Sequence, residues 1–409
     1  MIGLPYPKNG TFTSRRIGFP LFARMRICKI GPMPSIETKT ILGQETSLIK
    51  TRDVEAGVAT LGGQLWPAKF RVGPRWVSPL SAAPWAMENP STPNILKVLR
   101  GDFFCIPFGG NATVHAGEEH PVHGETANRK WKREPSPAPA TLHFSLRTKI
   151  RRGRVDKFIS LIEGHPAIYQ KHVVSGVSGR MPVGYHAMLH FPKQGSARIS
   201  TSAFVRGQVF PGQFENPVEG GYSRLKKGAA FSSLKNVPQA DGGKADLSVY
   251  PAREGFEDLV MLVSDPLLPF AWTAAVVAEE GWVWFSLKDP RLLRSTIFWM
   301  SNGGRHYPPW SGRHRGVIGI EDVTANFHHG HAESVRPNPL GKAGIPTFIE
   351  FESSSPVAIN SIMAVAPVPA GFDEVRHIRK GKNGSSVELE SRSGMTIKVP
   401  LDPEFLFHG

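Results

Sequence analysis

Two side chains in this sequence stand where an acid and a base could work together. Glu321 interrupts the apolar run VIGIEDV. A carboxylate set among Val and Ile loses hydration, which raises its pKa toward the range in which a general base operates. His186 lies in PVGYHAMLHFP, where Pro182, Gly184 and Pro192 imply extended chain. His186 and His190 then fall on one side of a strand. Imidazole has the ordinary pKa nearest neutrality, so it can give or take a proton. The same surroundings also suit a hydrogen-bonded core histidine, and Glu321 with Asp322 also suits a strand end facing water. His190 is a rival for the role of His186.

Arg100 precedes GDFFCIPFGG. A guanidinium at the head of an apolar segment can anchor hydroxyls, carboxylates or phosphate through its planar fork of donors. Histidine and carboxylate crowd HAGEEHPVHGE, with His115, Glu118, Glu119, His120, His123 and Glu125, and HHGH, with His328, His329 and His331. Such residues can ligate zinc or another divalent ion. The order His120-x-x-His123-x-Glu125 departs from the His-x-His-then-Glu pattern of β-barrel metalloenzymes. No metal ligand is assigned, and these are read as solvated loop histidines. RKWKRE (129–134) and RTKIRRGR (147–154) are basic around Trp131, the composition of a nucleic-acid surface, with Arg147, Lys149 and Arg151 sharing one strand face. No aromatic RNA-binding motif or helix-turn-helix accompanies them, so nucleic acid is not the expected partner.

Short strands must position these residues. Gly 42 and Pro 36 in 409 residues, with little helical periodicity, argue for an all-β chain. The net charge of +15 favours anionic partners without naming one. Cys28 and Cys105 are too few for a disulfide framework and suit a reducing, cytoplasmic setting. The most hydrophobic run, Leu259 to Ala278, contains Asp265, Pro266 and Pro269. It therefore reads as two buried strands and a turn rather than a membrane span. Residues 1–40 carry six basic residues up to Lys29 and no acid before Glu37. They read as a basic leader or extension, with Met33 as an alternative start; a transit peptide would look similar in charge. Residues 41–409 read as one domain. SLIKTRDVEAGVATLGGQLWPAKFRV is strand, turn, strand around Gly62-Gly63, and three strands between Ala140 and Val177 form an antiparallel meander. ARISTSAFVRGQVF is a strand pair, and 211–246 is a long connection. DLVMLVSD, AWTAAVVAE, GWVWFSLKD and STIFWMSNGG are further strands, followed by TFIEFES, SVELESR and MTIKVPL. No fixed-period repeat points to a propeller.

Taken in order, RGDFFCIPFGG, HGE, Trp131 eight residues after His123, GYHAMLHF, FWMSNGG and the Glu321 strand resemble the galactose mutarotase-like superfamily, especially its glucose-6-phosphate 1-epimerase-like branch. The resemblance implies a β-supersandwich, large antiparallel sheets face to face in a single domain with few short helices. It also implies an aldose 1-epimerase-like isomerase that needs no cofactor and acts on a small sugar. Glu321 would take the proton of the anomeric hydroxyl while His186, as imidazolium, protonates the ring oxygen, the two facing each other across a sugar ring. Arg100 and His123 would orient ring hydroxyls, with Trp299 or Phe108 as apolar floor and Asn302 as a polar contact. Ala127 stands where the sugar-phosphate branch has arginine, and Glu125 where it has phenylalanine, which removes one phosphate contact and adds a repelling charge. Two alternatives remain: a non-catalytic carbohydrate-binding protein on the same scaffold, and a polysaccharide lyase using Tyr185 or His186 as base.

Overall fold

The computed structural model describes residues 36–88 and 90–409. Of the expected leader over residues 1–40, residues 1–35 lie outside the described residues, as do the start at Met33 and Cys28. Strand Glu37–Ile41 pairs with Gln44–Lys50, so β-structure begins ahead of residue 41.

Two large antiparallel sheets carry the fold. One runs from Val249–Tyr250 through Ala197–Thr201, Ala271–Val277, Trp282–Lys288, Val357–Pro367, Ala167–Ser175, Gly153–Leu161 and Thr141–Thr148 to Lys132–Glu134. The other runs from Ala230–Phe231 through Phe204–Val209, Phe256–Ser264, Ser295–Asn302, Val317–Thr324 and Val183–Tyr185 to Phe104–Cys105; Ala187–His190 also pairs with Val317–Thr324. A five-stranded sheet, Glu37–Ile41 to Arg75–Val77, adds a third wall. Helices are few and short. The all-β supersandwich expected from the sequence is the architecture observed. Leu259 to Ala278 supplies two sheet strands, and no helix among the described residues is long and apolar enough to cross a membrane.

Two local expectations fail. The stretch SLIKTRDVEAGVATLGGQLWPAKFRV crosses three strands, Gln44–Lys50, Val54–Ala59 and Leu65–Val72, rather than two. ARISTSAFVRGQVF is not a pair: Ala197–Thr201 joins the first large sheet and Phe204–Val209 the second. The chain changes sheet at Ser202, whose side chain accepts from the Trp272 amide at 3.1 Å. Two residues would suffice for a hairpin turn, but the Trp272 amide bonded to Ser202 holds the first run in its own sheet, and each run pairs elsewhere.

Side-chain alternation sorts the second sheet into two faces. Val260, Leu262, Phe298, Met300, Ile318 and Ile320 enter the main core with residues of the other two sheets. Leu259, Met261, Ile297, Trp299, Val317 and Val323 point the opposite way, against Trp85, Phe103, Phe108 and Trp310 from the covering loops. Glu321 has the parity of Val317 and Val323 and so belongs to this second face.

Arg100 corrects an expectation. It is wholly buried, and its guanidinium donates to Val98 O at 2.9 Å, Ile41 O at 3.0 Å and Leu42 O at 3.1 Å. It clamps the turn between the first two strands, its guanidinium spent on backbone carbonyls. Burial lowers its pKa to about 10, still far above neutrality, so the charge is kept. Arg100→Ala strips three carbonyls of their donor and should reduce the unfolding free energy by about 2–4 kcal/mol, read by denaturant titration.

Candidate active site

The strand pairing brings His186 and Glu321 together. Gly184 lies opposite Val323 and Ala187 opposite Ile320, so His186, between those strands, falls opposite Glu321. The His186 amide points away from that partner, to Phe103 O at 3.0 Å and Asp102 Oδ1 at 2.9 Å. Such a non-hydrogen-bonded cross-strand pair is the kind whose side chains lie closest. His186 Nε2 stands 3.3 Å from Glu321 Oε1, with both side chains almost fully buried. Gly319 makes room for this: a Cβ there would come within 2.8 Å of Glu321 Oε1 and 3.2 Å of the Trp299 Cβ. The two groups therefore sit side by side on one wall, not across a ring-sized gap.

They open on a cavity of about 280 Å³, at the small end of ligand pockets. Phe103 stacks on His186 with ring centroids 4.6 Å apart, and His123 meets it edge-on at 4.8 Å. Trp299, Trp310 and Phe214 supply further aromatic wall, and Leu99, Leu259, Ile95 and Leu96 the aliphatic part. His123 is a left-handed residue (φ 58°) just before Gly124 (φ 76°). A Cβ on Gly124 would run into the Ile106 carbonyl, so the His-Gly pair lets the loop turn tightly and aim the imidazole inward.

Burial sets the protonation states. Glu321 is pushed well above the usual carboxylate range because it is desolvated. Burial, and then repulsion from His328, lower His186 to about 3. The pair is thus a neutral carboxylic acid beside a neutral imidazole, and the imidazolium expected from the sequence is not the resting form. His123 and His328 are likewise held neutral by burial, with His328 at about 4.

Other predicted residues divide. Trp299 and His123 line the cavity. Phe108 stands behind it, edge-on to His123 at 5.0 Å. Asn302 is elsewhere: its side chain donates to Ala252 O at 3.0 Å and accepts from Gly316 N at 3.0 Å. It shares a separate groove with His190, which removes His190 as a rival. Tyr185 points into the main core and donates to Ile359 O at 2.7 Å, too far inside to act as a lyase base. Glu125 faces away, accepting from the amides of Lys149 and Ile150. Trp131 is buried with Nε1 on Thr126 O, and Arg151 sits in the turn after Thr141–Thr148, so neither composes an exposed aromatic-basic face.

Arg305 is the residue missed. It lies in GGRHYPPW, a loop with no motif to mark it. Its guanidinium rests over Trp310 at 4.6 Å and over Trp299 and Phe214 at 5.4 Å each, and Nε donates to Glu215 Oε1 at 2.7 Å. Burial opposes its charge, but Glu257 and Glu215 outweigh that and hold it protonated. Behind the wall, Glu257 accepts from Trp299 Nε1 at 3.0 Å and Ser301 Oγ at 2.9 Å, fixing the indole. Burial raises Glu257 to about 8.

Solved structures share this architecture. A candidate aldose 1-epimerase from Escherichia coli K12 superposes with TM-score 0.54 at 13% identity, over 82% of this chain and 99% of that one. A galactose mutarotase related enzyme from Lactobacillus acidophilus gives 0.53 at 11% identity, over 81% and 100%. A galactose mutarotase-like protein from Lactobacillus casei gives 0.51 at 11%, over 78% and 99%. The chain therefore has the galactose mutarotase-like fold. No protein-family model and no curated protein sequence matches it.

The buried acid carries a measurable cost. Above the unfolded pKa of 4.5 the unfolded chain ionises Glu321 while the folded chain keeps the proton, so stability falls as pH rises. Glu321→Gln removes this penalty. Its stability advantage over the unsubstituted chain should be absent below that pH and grow above it by up to about 1.4 kcal/mol per pH unit, read from thermal unfolding across pH.

Proposed function

We propose that the protein is an aldose 1-epimerase-like isomerase that interconverts the anomers of a sugar. The observation that carries this reading is the His186–Glu321 contact at 3.3 Å on the wall of a small aromatic cavity. Opening a hemiacetal ring removes one proton from the anomeric hydroxyl and adds one to the ring oxygen. Both oxygens are bonded to the same carbon, so an adjacent acid and base serve them better than a pair facing across the ring. The pair holds one proton in total. In its neutral form Glu321 donates to one oxygen as His186 Nε2 accepts from the other. The ring opens, the aldehyde end rotates, and closure on the opposite face returns the proton with the roles exchanged. This reverses the first-step roles expected from sequence but keeps the residues.

The aromatic walls suit the C–H faces of a sugar, and His123 supplies a neutral polar contact. Arg305, the cation lining the cavity, is already paired with Glu215, which favours a neutral sugar over a phosphosugar. That Arg305 is already paired also fits simple carbohydrate binding on this scaffold. An assay of anomer interconversion by NMR exchange or polarimetry separates the two, because only the isomerase accelerates the reaction.

Glu321→Gln and His186→Asn should each lower kcat by about 10²–10⁴-fold; unsubstituted rates in both variants would overturn the assignment. With His186 at about 3 and Glu321 raised, the one-proton pair persists through neutrality. The pH–rate profile should therefore show no inflection near 6.5, where a free imidazole titrates. Gly319→Ala should crowd Glu321 and Trp299 and reduce kcat while the protein remains folded by circular dichroism.

A further inference from the structure

We propose that Glu118, His120 and His331 form a binding site for a zinc-class divalent cation, separate from the His186–Glu321 pair. The histidine-rich segments HAGEEH and HHGH are more than 200 residues apart in sequence, yet one ligand atom from each of these three residues lies within 4.8 Å of the others. The histidines are not solvated as their loop composition suggests: the side chains of His120 and His331 are each 3% exposed.

Local geometry builds the cluster. His115 and Glu118 exchange backbone hydrogen bonds at 3.2 and 2.9 Å across Ala116 (φ 50°) and Gly117 (φ 79°), the two left-handed residues of a tight hairpin turn. Glu118 Oε2 accepts from His120 Nε2 at 2.9 Å, a proton a metal ion would displace, and lies 3.8 Å from His331 Nδ1. His331 Nε2 is 3.1 Å from Arg180 O. Arg151 Nη2 also approaches this nitrogen, at 3.5 Å, but the shorter contact is to a carbonyl, which can only accept; the neutral ring then carries its proton on Nε2 and presents a bare lone pair at Nδ1. That is also how carbonyls orient metal-binding histidines. His331 Nδ1 is buried with no hydrogen-bond partner among the described residues, and so is His120 Nδ1.

The bare Nδ1 of His331 thus faces the Glu118 carboxylate at 3.8 Å with no proton between them, a pairing that a bound cation would bridge. Two ligands at about 2.1 Å from a tetrahedral ion stand roughly 3.4 Å apart, between the 2.9 and 3.8 Å found here. Arg151 holds the same carboxylate, Nε on Oε1 at 2.9 Å and Nη2 on Oε2 at 2.8 Å. It fixes the orientation of Glu118 but offsets its charge. The site then offers two imidazoles and one shared carboxylate, which suits nitrogen-preferring ions such as Zn²⁺ rather than Ca²⁺ or Mg²⁺, which need several oxygens. His115, with its ring 5.3 Å from that of His331, lines the adjoining groove. The ion would clip the loop carrying His123 to the segment carrying His328, two walls of the cavity.

Protein stripped with a chelator and titrated with Zn²⁺ should bind one equivalent at micromolar concentration and gain Tm. Co²⁺ in its place should give the visible absorption of a four- or five-coordinate nitrogen–oxygen site. His120→Ala and His331→Ala should each weaken binding by at least about tenfold and remove the cobalt band, while exposed His306→Ala leaves both unchanged. If the two variants do not fold, the unsubstituted cobalt spectrum decides. Only the aqueous-ion spectrum, no stoichiometric Zn²⁺ binding, or binding retained in both folded variants would overturn the site.

Discussion

The candidate site depends on a place where two loop backbones cross with no side chain between them. Gly109 (φ 108°) and Gly330 (φ 114°) pack directly together; a Cβ on Gly109 would lie 2.6 Å from the Gly330 amide. Gly110 N donates to His328 O at 2.7 Å and Asn111 N to His329 O at 3.1 Å. Asn111 completes the lock. Its amide reaches Pro107, Gly109 and Pro121 carbonyls, and its Oδ1 accepts from His331 N at 2.8 Å. Buried loop backbone must find partners, and here the two loops satisfy each other. The lock places His123 and His328 on the cavity and leaves His120 and His331 together a few residues further on.

The cavity's electrostatics differ from those of the chain. The protein carries a formal charge of +15, yet the histidines lining the cavity are neutral and Arg305 is matched by Glu215. Desolvation explains the contrast, because charge is cheap on the wet surface and costly among Phe103, Trp299 and Trp310. A neutral acid beside a neutral base is the form in which such a pair can be buried without a counterion, and it retains a single transferable proton.

The aromatic wall is itself held by polar groups. Trp299 donates to Glu257, stacks on His314 at 5.5 Å, and lies under the Arg305 guanidinium. Ser301 ties Glu257 to His314 Nδ1 at 2.6 Å. An indole in a core can occupy several rotamers, whereas one anchored at its nitrogen and packed by His314 and Arg305 has a single orientation to offer a ligand.

Sequence alone determined the class of fold, through the two-residue alternation and the Gly/Pro punctuation of short runs. It also made Glu321 conspicuous, since one carboxylate broke an apolar strand, and drew attention to His186 and to the His123-Gly124 turn. It misplaced Arg100 and Asn302, because a basic or polar residue beside an apolar run is equally a buried clamp, and only the partner carbonyls tell which. Arg305 was invisible because its role comes from Glu215, Trp299 and Trp310, all remote in the chain. The closeness of His186 to Glu321, their neutral state and the meeting of His120 with His331 were decided by tertiary structure. Register across strands and the depth of burial are set by long-range packing, which no local pattern of residues encodes.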